Sequence, residues 1–190
     1  VVLEAVKQQL ASGEMIHTLD FSVEQWDLLA AYDFITKKKQ IYVANVAEDS
    51  VGQSNVYVEA LRHYVEQRGQ EVIVLSAALE EECAALTMSE KKEFLAELGV
   101  DQSGIDLLAV ACFKLLGLQT YLTTGPKETR AWSIKNGTLA PDAGSKIHTD
   151  FKTGFIRAEV IGYKHFIDFN GEINCKENGK LRLEGKEYKV

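Results

Sequence analysis

Ile41-Tyr42-Val43-Ala44-Asn45-Val46-Ala47-Glu48 is an apolar run that ends in an asparagine and, three residues on, a glutamate. A β-branched and aromatic start released into a polar turn is what a buried strand of a parallel sheet looks like where it delivers polar groups to a ligand crevice. Downstream, Asn55 to Arg68 puts Val58, Leu61, Tyr64 and Val65 on one face of a helix closed by Gly69. Glu71-Val72-Ile73-Val74-Leu75-Ser76-Ala77 is then a second buried strand. Strand, helix and strand in so short a span read as a right-handed βαβ unit with both strands parallel. Adjacent parallel strands end side by side, so the Asn45–Glu48 turn and the Ser76-Ala77 turn meet at one edge of a crevice.

Toward the N-terminus, Val2, Leu3, Val6 and Leu10 recur at helical spacing and Ser12-Gly13 stops the pattern. The chain starts inside that periodicity, which predicts a first helix cut short. Ser22 with Gln25 forms a capping box that opens a helix with Trp26, Leu29 and Ala30 inward, ending near Thr36. Lys37-Lys38-Lys39 reads as a solvated strand entry more than as an anion contact. After the βαβ unit, Thr87 with Glu90 caps a helix through Leu98, and Ser103 opens the apolar helix Ile105–Leu116, which Gly117 terminates. Past Gly117 the texture changes to short strands, Gln119–Thr124, Glu128–Ile134, Ile156–Ile161 and Leu181–Leu183, with an Asn136-Gly137 turn and a helical piece after Pro141. A small α+β domain with a helix across a mixed sheet, a β-grasp layout, fits that pattern.

The 190 residues, 46% hydrophobic and 26% charged, suffice for one domain or two small ones. No apolar run approaches the roughly 18 residues that span a bilayer, and Glu4 and Lys7 interrupt any signal-peptide core, so no membrane role and a cytoplasmic setting are expected. Cys83, Cys112 and Cys175 are odd in number and far apart, which argues against a disulfide framework and against a zinc site. The net charge of −7 is unevenly spread: residues 1–117 carry 9 Lys and Arg against 19 Asp and Glu, whereas residues 118–190 carry 12 against 9. The second part is the more compatible with a polyanion such as RNA.

Two parallel strands ending in polar turns invite a nucleotide, yet neither G-x-x-x-x-G-K-[ST] nor G-x-G-x-x-G occurs. His17, His63, His148 and His165 fall on different elements with no nucleophile motif beside them. What remains is Asn45-Val46-Ala47-Glu48 with Ser76-Ala77. In GTPase-type proteins the corresponding turns read Asn-Lys-x-Asp and Ser-Ala and grip guanine, the Asp carboxylate accepting from N1–H and the N2 amine. Adenine has an acceptor at N1 and no N2 amine. Here Val46 replaces the Lys and the longer Glu48 replaces the Asp, so that bidentate contact is lost or misplaced. A good bidentate base contact discriminates by roughly 1–3 kcal/mol in nucleic-acid recognition, enough on that scale to relax or reverse a guanine preference.

Taken together, Tyr42–Glu48, Leu115–Tyr121, Gly125–Trp132, Lys146–Phe151, Gly154–Val160 and Leu181–Tyr188 resemble, in order, the YchF/Obg-like ATPase family of Obg-type P-loop proteins. The resemblance implies a fold of class α/β: the C-terminal part of a P-loop NTPase, a parallel βαβ with a helical insertion, followed by an α+β TGS domain of β-grasp (ubiquitin-like) fold. It implies a division into residues 1–36, the second half of the coiled-coil-like insertion; 37–117, the C-terminal half of the nucleotide-binding domain; and 118–190, a slightly truncated TGS domain. Members hydrolyse ATP with magnesium, are linked to ribosomes, and are adapted to ATP over GTP through the N-x-x-E turn. Carried over, Asn45, Val46 and Glu48 read adenine while Ser76 and Ala77 close over the base.

The phosphate-binding loop, the magnesium-binding switch segment and the D-x-x-G turn of the family lie ahead of its insertion and have no counterpart in this sequence. The expectation is therefore a C-terminal fragment with no catalytic residue and no metal ligand of its own, which binds ATP, with GTP as a further candidate, and does not hydrolyse it alone. The magnesium ligands would belong to the missing N-terminal part. Lys146, Lys152 and Arg157 are candidates for RNA or ribosome contact, and a purely RNA- or ribosome-binding TGS module without activity is the alternative. A TGS domain of the kind found in threonyl-tRNA synthetases or stringent-response enzymes is a third reading, against which the Asn45–Glu48 strand and the helices before Gly117 speak.

Overall fold

The computed structural model describes residues 1–53, 55–125 and 127–190. Pro126, within the Gly125–Trp132 block, lies outside them. The chain forms two compact units, Val1–Leu115 and Leu116–Val190.

In the first unit, α1 (Val2–Ala11) is followed by a single turn at Ile16–Thr18 and by α2 (Val23–Leu28). Ser22 and Gln25 form the expected reciprocal capping box. Val6, Ile16 and Leu29 are buried together, with Val2, Leu19, Phe21, Trp26 and Phe34 packed around them. The α2 helix stops at Leu28, well before Thr36, and Ala30 is exposed. Tertiary packing overrides the helical pattern here: Leu29 drops into the cluster and Phe34 closes over it. The Lys37 ammonium then donates to the Leu29 and Tyr32 carbonyls, both at 3.1 Å, and so satisfies groups a longer helix would have used. Lys37 is thus a cap within the lysine triplet, and Lys38 stands 3.9 Å from Asp33. On α1, Leu3 and Leu10 of the apolar pattern are exposed, and Val6 alone is buried.

The strands β1 (Tyr42–Asn45) and β2 (Val72–Leu75) pair in parallel, from Tyr42 opposite Val72 to Asn45 opposite Leu75, with α3 (Val56–Glu66) as the crossover. Asn55 caps α3 by accepting from the Tyr57 amide at 2.8 Å. Val58 and Val65 are buried; Tyr64 is instead half-exposed beneath the Arg68 guanidinium, 3.8 Å from its ring centre. Three helices follow: α4 (Ala77–Ala84), α5 (Met88–Glu97) and α6 (Gly104–Leu116). The α5 helix begins on the Thr87–Glu90 capping box, and Leu79, Cys83 and Leu95 form the second buried cluster. The α4 helix has no apolar periodicity to announce it, which is why its sequence reads as part of a turn.

The second unit opens with the antiparallel hairpin β3 (Leu118–Thr124) and β4 (Thr129–Lys135). Ile134 on its inner face is 2% exposed, and the Tyr121 hydroxyl donates to the Ala143 carbonyl at 2.8 Å, fastening the hairpin to α7 (Ala140–Ile147). Pro141 sits in the first turn of α7, where a missing N–H costs nothing. Then come α8 (Asp150–Thr153), β5 (Ala158–Ile161), α9 (Tyr163–Asp168), α10 (Glu172–Glu177) and β6 (Leu181–Glu184), the last antiparallel to β5. The helices α9 and α10 span six residues each, too short to show a periodicity, and are joined where Asn170 and Gly171 take φ of 53° and 116°. Near the end of the chain Leu139 bridges to Lys189, and the Gln119 side-chain amide donates to the Val190 carbonyl.

Candidate functional site

The carboxyl ends of β1 and β2 are joined by more than the ladder. The Val46 amide donates to the Leu75 carbonyl at 2.8 Å, extending the pairing one residue past Asn45. Beyond it the Ala77 amide donates to Asn45 Oδ1 at 3.0 Å. The Ala77 N–H is one of the four at the start of α4 that have no partner within the helix. Ser76, 2% exposed, caps the same helix, its Oγ accepting from the Leu79 amide at 3.4 Å. Asn45 and Ser76 thereby each satisfy one N–H of a single helix start. With its oxygen engaged, Asn45 has the two donors of Nδ2 left without a hydrogen bond among the described residues.

The structure thus brings Asn45, Val46, Ser76 and Ala77 to one sheet end. Val46 is half-buried there, with its amide committed to β2. Glu48 begins the single turn Glu48–Ser50, exposed, and its carboxylate makes no hydrogen bond or ion pair among the described residues. A cleft of about 440 Å³, lined by Val51, Arg62, Val74, Glu80 and Gly104 among others, includes Ser76 but not Asn45, Val46, Glu48 or Ala77. It borders the end of β2 through Leu75 and Ser76.

Glu80, on the first turns of α4, is a residue that no sequence pattern singles out. It is 6% exposed. Its carboxylate accepts from Ser103 Oγ at 2.5 Å, the Gly104 amide at 2.6 Å and the Ile105 amide at 3.4 Å. The charge is held by the open N–H groups and dipole of the α6 N-terminus. Ser103 announced the start of α6 correctly, but its hydroxyl serves Glu80, more than twenty residues back in the chain. Gly104 has no room for a side chain: a Cβ there would stand 2.3 Å from Leu75 Cβ.

In the second unit, Lys146 on the last turn of α7 and Arg157 just before β5 are exposed and form no ion pair among the described residues. Lys152 on α8 differs, lying 2.6 Å from Asp142. Arg130 stacks over Trp132 at 4.3 Å, and Trp132 Nε1 donates to Thr123 Oγ1 at 2.9 Å. The three cysteines are free thiols, Cys83 and Cys175 buried. Burial, with the Glu80 charge adding to it, pushes the Cys83 thiol up, away from the reactive thiolate. The histidines lie on separate elements; His17 faces the Thr36 carbonyl and His63 the Gln67 amide. Among the described residues no cluster of three acidic, His or Cys side chains could hold a metal, and no helix is long and apolar enough to cross a membrane.

A parallel strand–helix–strand unit whose turns meet at one sheet end, followed by a small α+β unit of two antiparallel strand pairs, fits the C-terminal part of a P-loop NTPase followed by an α+β domain of the β-grasp class. Residues 118–190 match the family YchF-GTPase_C, described as a protein of unknown function. Over 189 residues the chain is 44% identical to the ribosome-binding ATPase YchF of Pasteurella multocida (strain Pm70), covering all of this chain and 52% of that protein. It is 43% identical over 191 residues to the ribosome-binding ATPase YchF of Bacillus subtilis (strain 168), with the same coverage. The structure of the Schizosaccharomyces pombe YchF GTPase superposes with a TM-score of 0.87 at 30% identity, covering 100% of this chain and 51% of that one. Along its whole length the chain is homologous to YchF proteins, and it spans about half the length of the relatives it matches.

Proposed function

We propose that this chain carries the base-recognition half of a ribosome-associated, cytoplasmic ATPase, and that residues 118–190 form a TGS module directed at RNA or the ribosome. The division at residues 36 and 117, with an insertion half ahead of the nucleotide-binding part, belongs to the same proposal. The observation that supports the nucleotide reading is the bond from the Ala77 amide to Asn45 Oδ1. Guanine presents a 6-oxo acceptor that seeks such an N–H, and here that N–H is already taken. Adenine presents an amine at the same position and forfeits nothing by the arrangement. Asn45 Nδ2 is left to donate to a ring nitrogen, Val46 supplies an apolar wall, Ser76 and Ala77 close the edge, and the solvated Glu48 carboxylate forms the rim. GTP remains the weaker candidate ligand.

No residue of this chain is assigned to phosphate or to magnesium. Without charge stabilisation at the transferring phosphoryl group there is no catalysis, so the chain binds and does not turn over. Titration with fluorescent ATP and GTP analogues tests this: ATP is preferred, and Asn45→Ala removes the preference. Equal affinity for both bases in the unsubstituted chain refutes the base assignment, and sustained ATP hydrolysis by the purified chain refutes the assignment of catalysis elsewhere.

The exposure of Lys146 and Arg157, free of ion pairs among the described residues, favours the second role. RNA binding by the chain should weaken steeply with added salt and with Lys146→Ala or Arg157→Ala. Salt-independent binding sinks the RNA reading.

A further inference from the structure

We infer that Glu80 is a positioning residue for base choice, an inference that rests on the base-site reading above. Two helices meet at its carboxylate, and β2 lies one contact further on, against Gly104. Glu80 belongs to α4, the helix whose first amide, that of Ala77, is bonded to Asn45 Oδ1. It grips the start of α6 through Ser103 Oγ and the Gly104 and Ile105 amides. Gly104 in turn is wedged against Leu75, the last residue of β2, whose carbonyl accepts from the Val46 amide. A buried carboxylate with three donors has one arrangement that satisfies all of them, and leaving any unpaired is costly. The direction in which α4 leaves the sheet is therefore fixed from behind, by α6. That direction decides whether the Ala77 N–H points at Asn45 or is released toward a bound base.

Glu80 touches no nucleotide in this account; it acts through Ala77. A helix-start brace with only a structural role would lower stability and speed exchange at many amides alike, leaving the difference between the two bases unchanged. The positioning role makes a different demand: loosening the brace must weaken the Ala77–Asn45 bond and narrow the difference between adenine and guanine.

The test uses the 190-residue chain with Glu80→Ala, Glu80→Gln and Ser103→Ala, read in two ways. Amide hydrogen exchange at Ala77 is followed without nucleotide, and affinities for ATP and GTP analogues are measured beside thermal stability. Glu80→Ala is expected to speed Ala77 exchange and to lower the ATP-to-GTP affinity ratio by about fivefold, the scale on which residues linked to a site through packed contacts alter it. Glu80→Gln, which keeps an acceptor for the Gly104 and Ile105 amides, restores most of both. Ser103→Ala removes one donor, keeps the carboxylate in place, and gives a smaller change in the same direction; it carries the test if Glu80→Ala does not fold. Unchanged Ala77 exchange and an unchanged ratio in all variants, with only the melting temperature lowered, overturn the inference. If the unsubstituted chain binds both bases alike, the base-site reading fails. The exchange measurement then decides only the mechanical link from Glu80 to Ala77, with exchange in Glu80→Ala accelerated more at Ala77 than at the other α4 amides upholding it and an unchanged Ala77 rate refuting it.

Discussion

The two strand pairs β1–β2 and β3–β4 place chemistry in opposite ways. In the parallel pair both strands leave the sheet at the same end, so the two following loops meet, and Asn45 reaches an amide 32 positions away. In the antiparallel hairpin consecutive loops fall at alternate ends. Its inner face is used for packing Tyr121 and Ile134, while the basic residues outside it sit singly on α7, α8 and the approach to β5. Parallel pairing concentrates polar groups at a point; the second unit disperses its basic side chains over a surface.

That contrast can be broken in several places. The largest effect is expected from Ile134→Ala, which empties a fully buried position on the hairpin's inner face and should cost about 2–5 kcal/mol in denaturant unfolding. A negligible cost would mean that packing is not what the hairpin's inner face does. Gly104→Ala forces a Cβ onto Leu75 and should cost about 1–3 kcal/mol, with added disturbance of the Ala77 amide by NMR that Ile134→Ala lacks.

Asn45→Asp separates the two halves of one side chain, keeping the acceptor for Ala77 and losing the Nδ2 donors. Adenine-nucleotide affinity should fall by about 1–3 kcal/mol with Ala77 exchange unchanged; loss of Ala77 protection would mean that the amide group is needed for both tasks. Tyr121→Phe removes the bond to Ala143 and should cost about 1 kcal/mol. Burial raises the Tyr121 hydroxyl above its ordinary range. A raised folded-state value means its contribution is intact at neutral pH and is lost as pH climbs through the alkaline tyrosine range, so the loss of stability at high pH should be milder in the Phe variant.

The smallest effect concerns α5. Hydrogen bonds from Thr87 hold the Glu90 carboxylate below its usual value, so that contribution is present near neutrality and fades as pH falls through the carboxylate range. Thr87→Ala should flatten a shallow acid dependence of α5 amide exchange.

Legibility in the sequence followed the same divide. Local signals were accurate: the Ser22–Gln25 and Thr87–Glu90 boxes, the Gly117 stop and the β1–α3–β2 order are each carried by residues a few positions apart. Long-range relations were not. Nothing near Glu80 shows that its partners are Ser103 and Gly104, and nothing near Leu29 shows that Lys37 will end α2 by taking its carbonyl. The turns that carry Asn45 and Ser76 are visible as strand ends, whereas α4 is not, because its capping serine reads equally well as the end of a turn. Helices as short as α9 and α10 leave too few residues for a pattern to repeat.

The pairing of Lys152 with Asp142 carries a consequence for the stoichiometry of ions. A free lysine that meets a phosphate displaces one condensed cation from the nucleic acid, and each such event steepens the dependence of log affinity on log salt by about 0.7 for a single strand. Lys152 begins already neutralised at 2.6 Å. A phosphate docking there exchanges one anion for another and leaves the local charge balance nearly as it was. Of the three basic candidates, Lys146 and Arg157 should register in the salt slope and Lys152 should not. Asp142→Asn should therefore tighten RNA binding and steepen the slope by about 0.7, so the slope counts which cations the polyanion reaches unaccompanied.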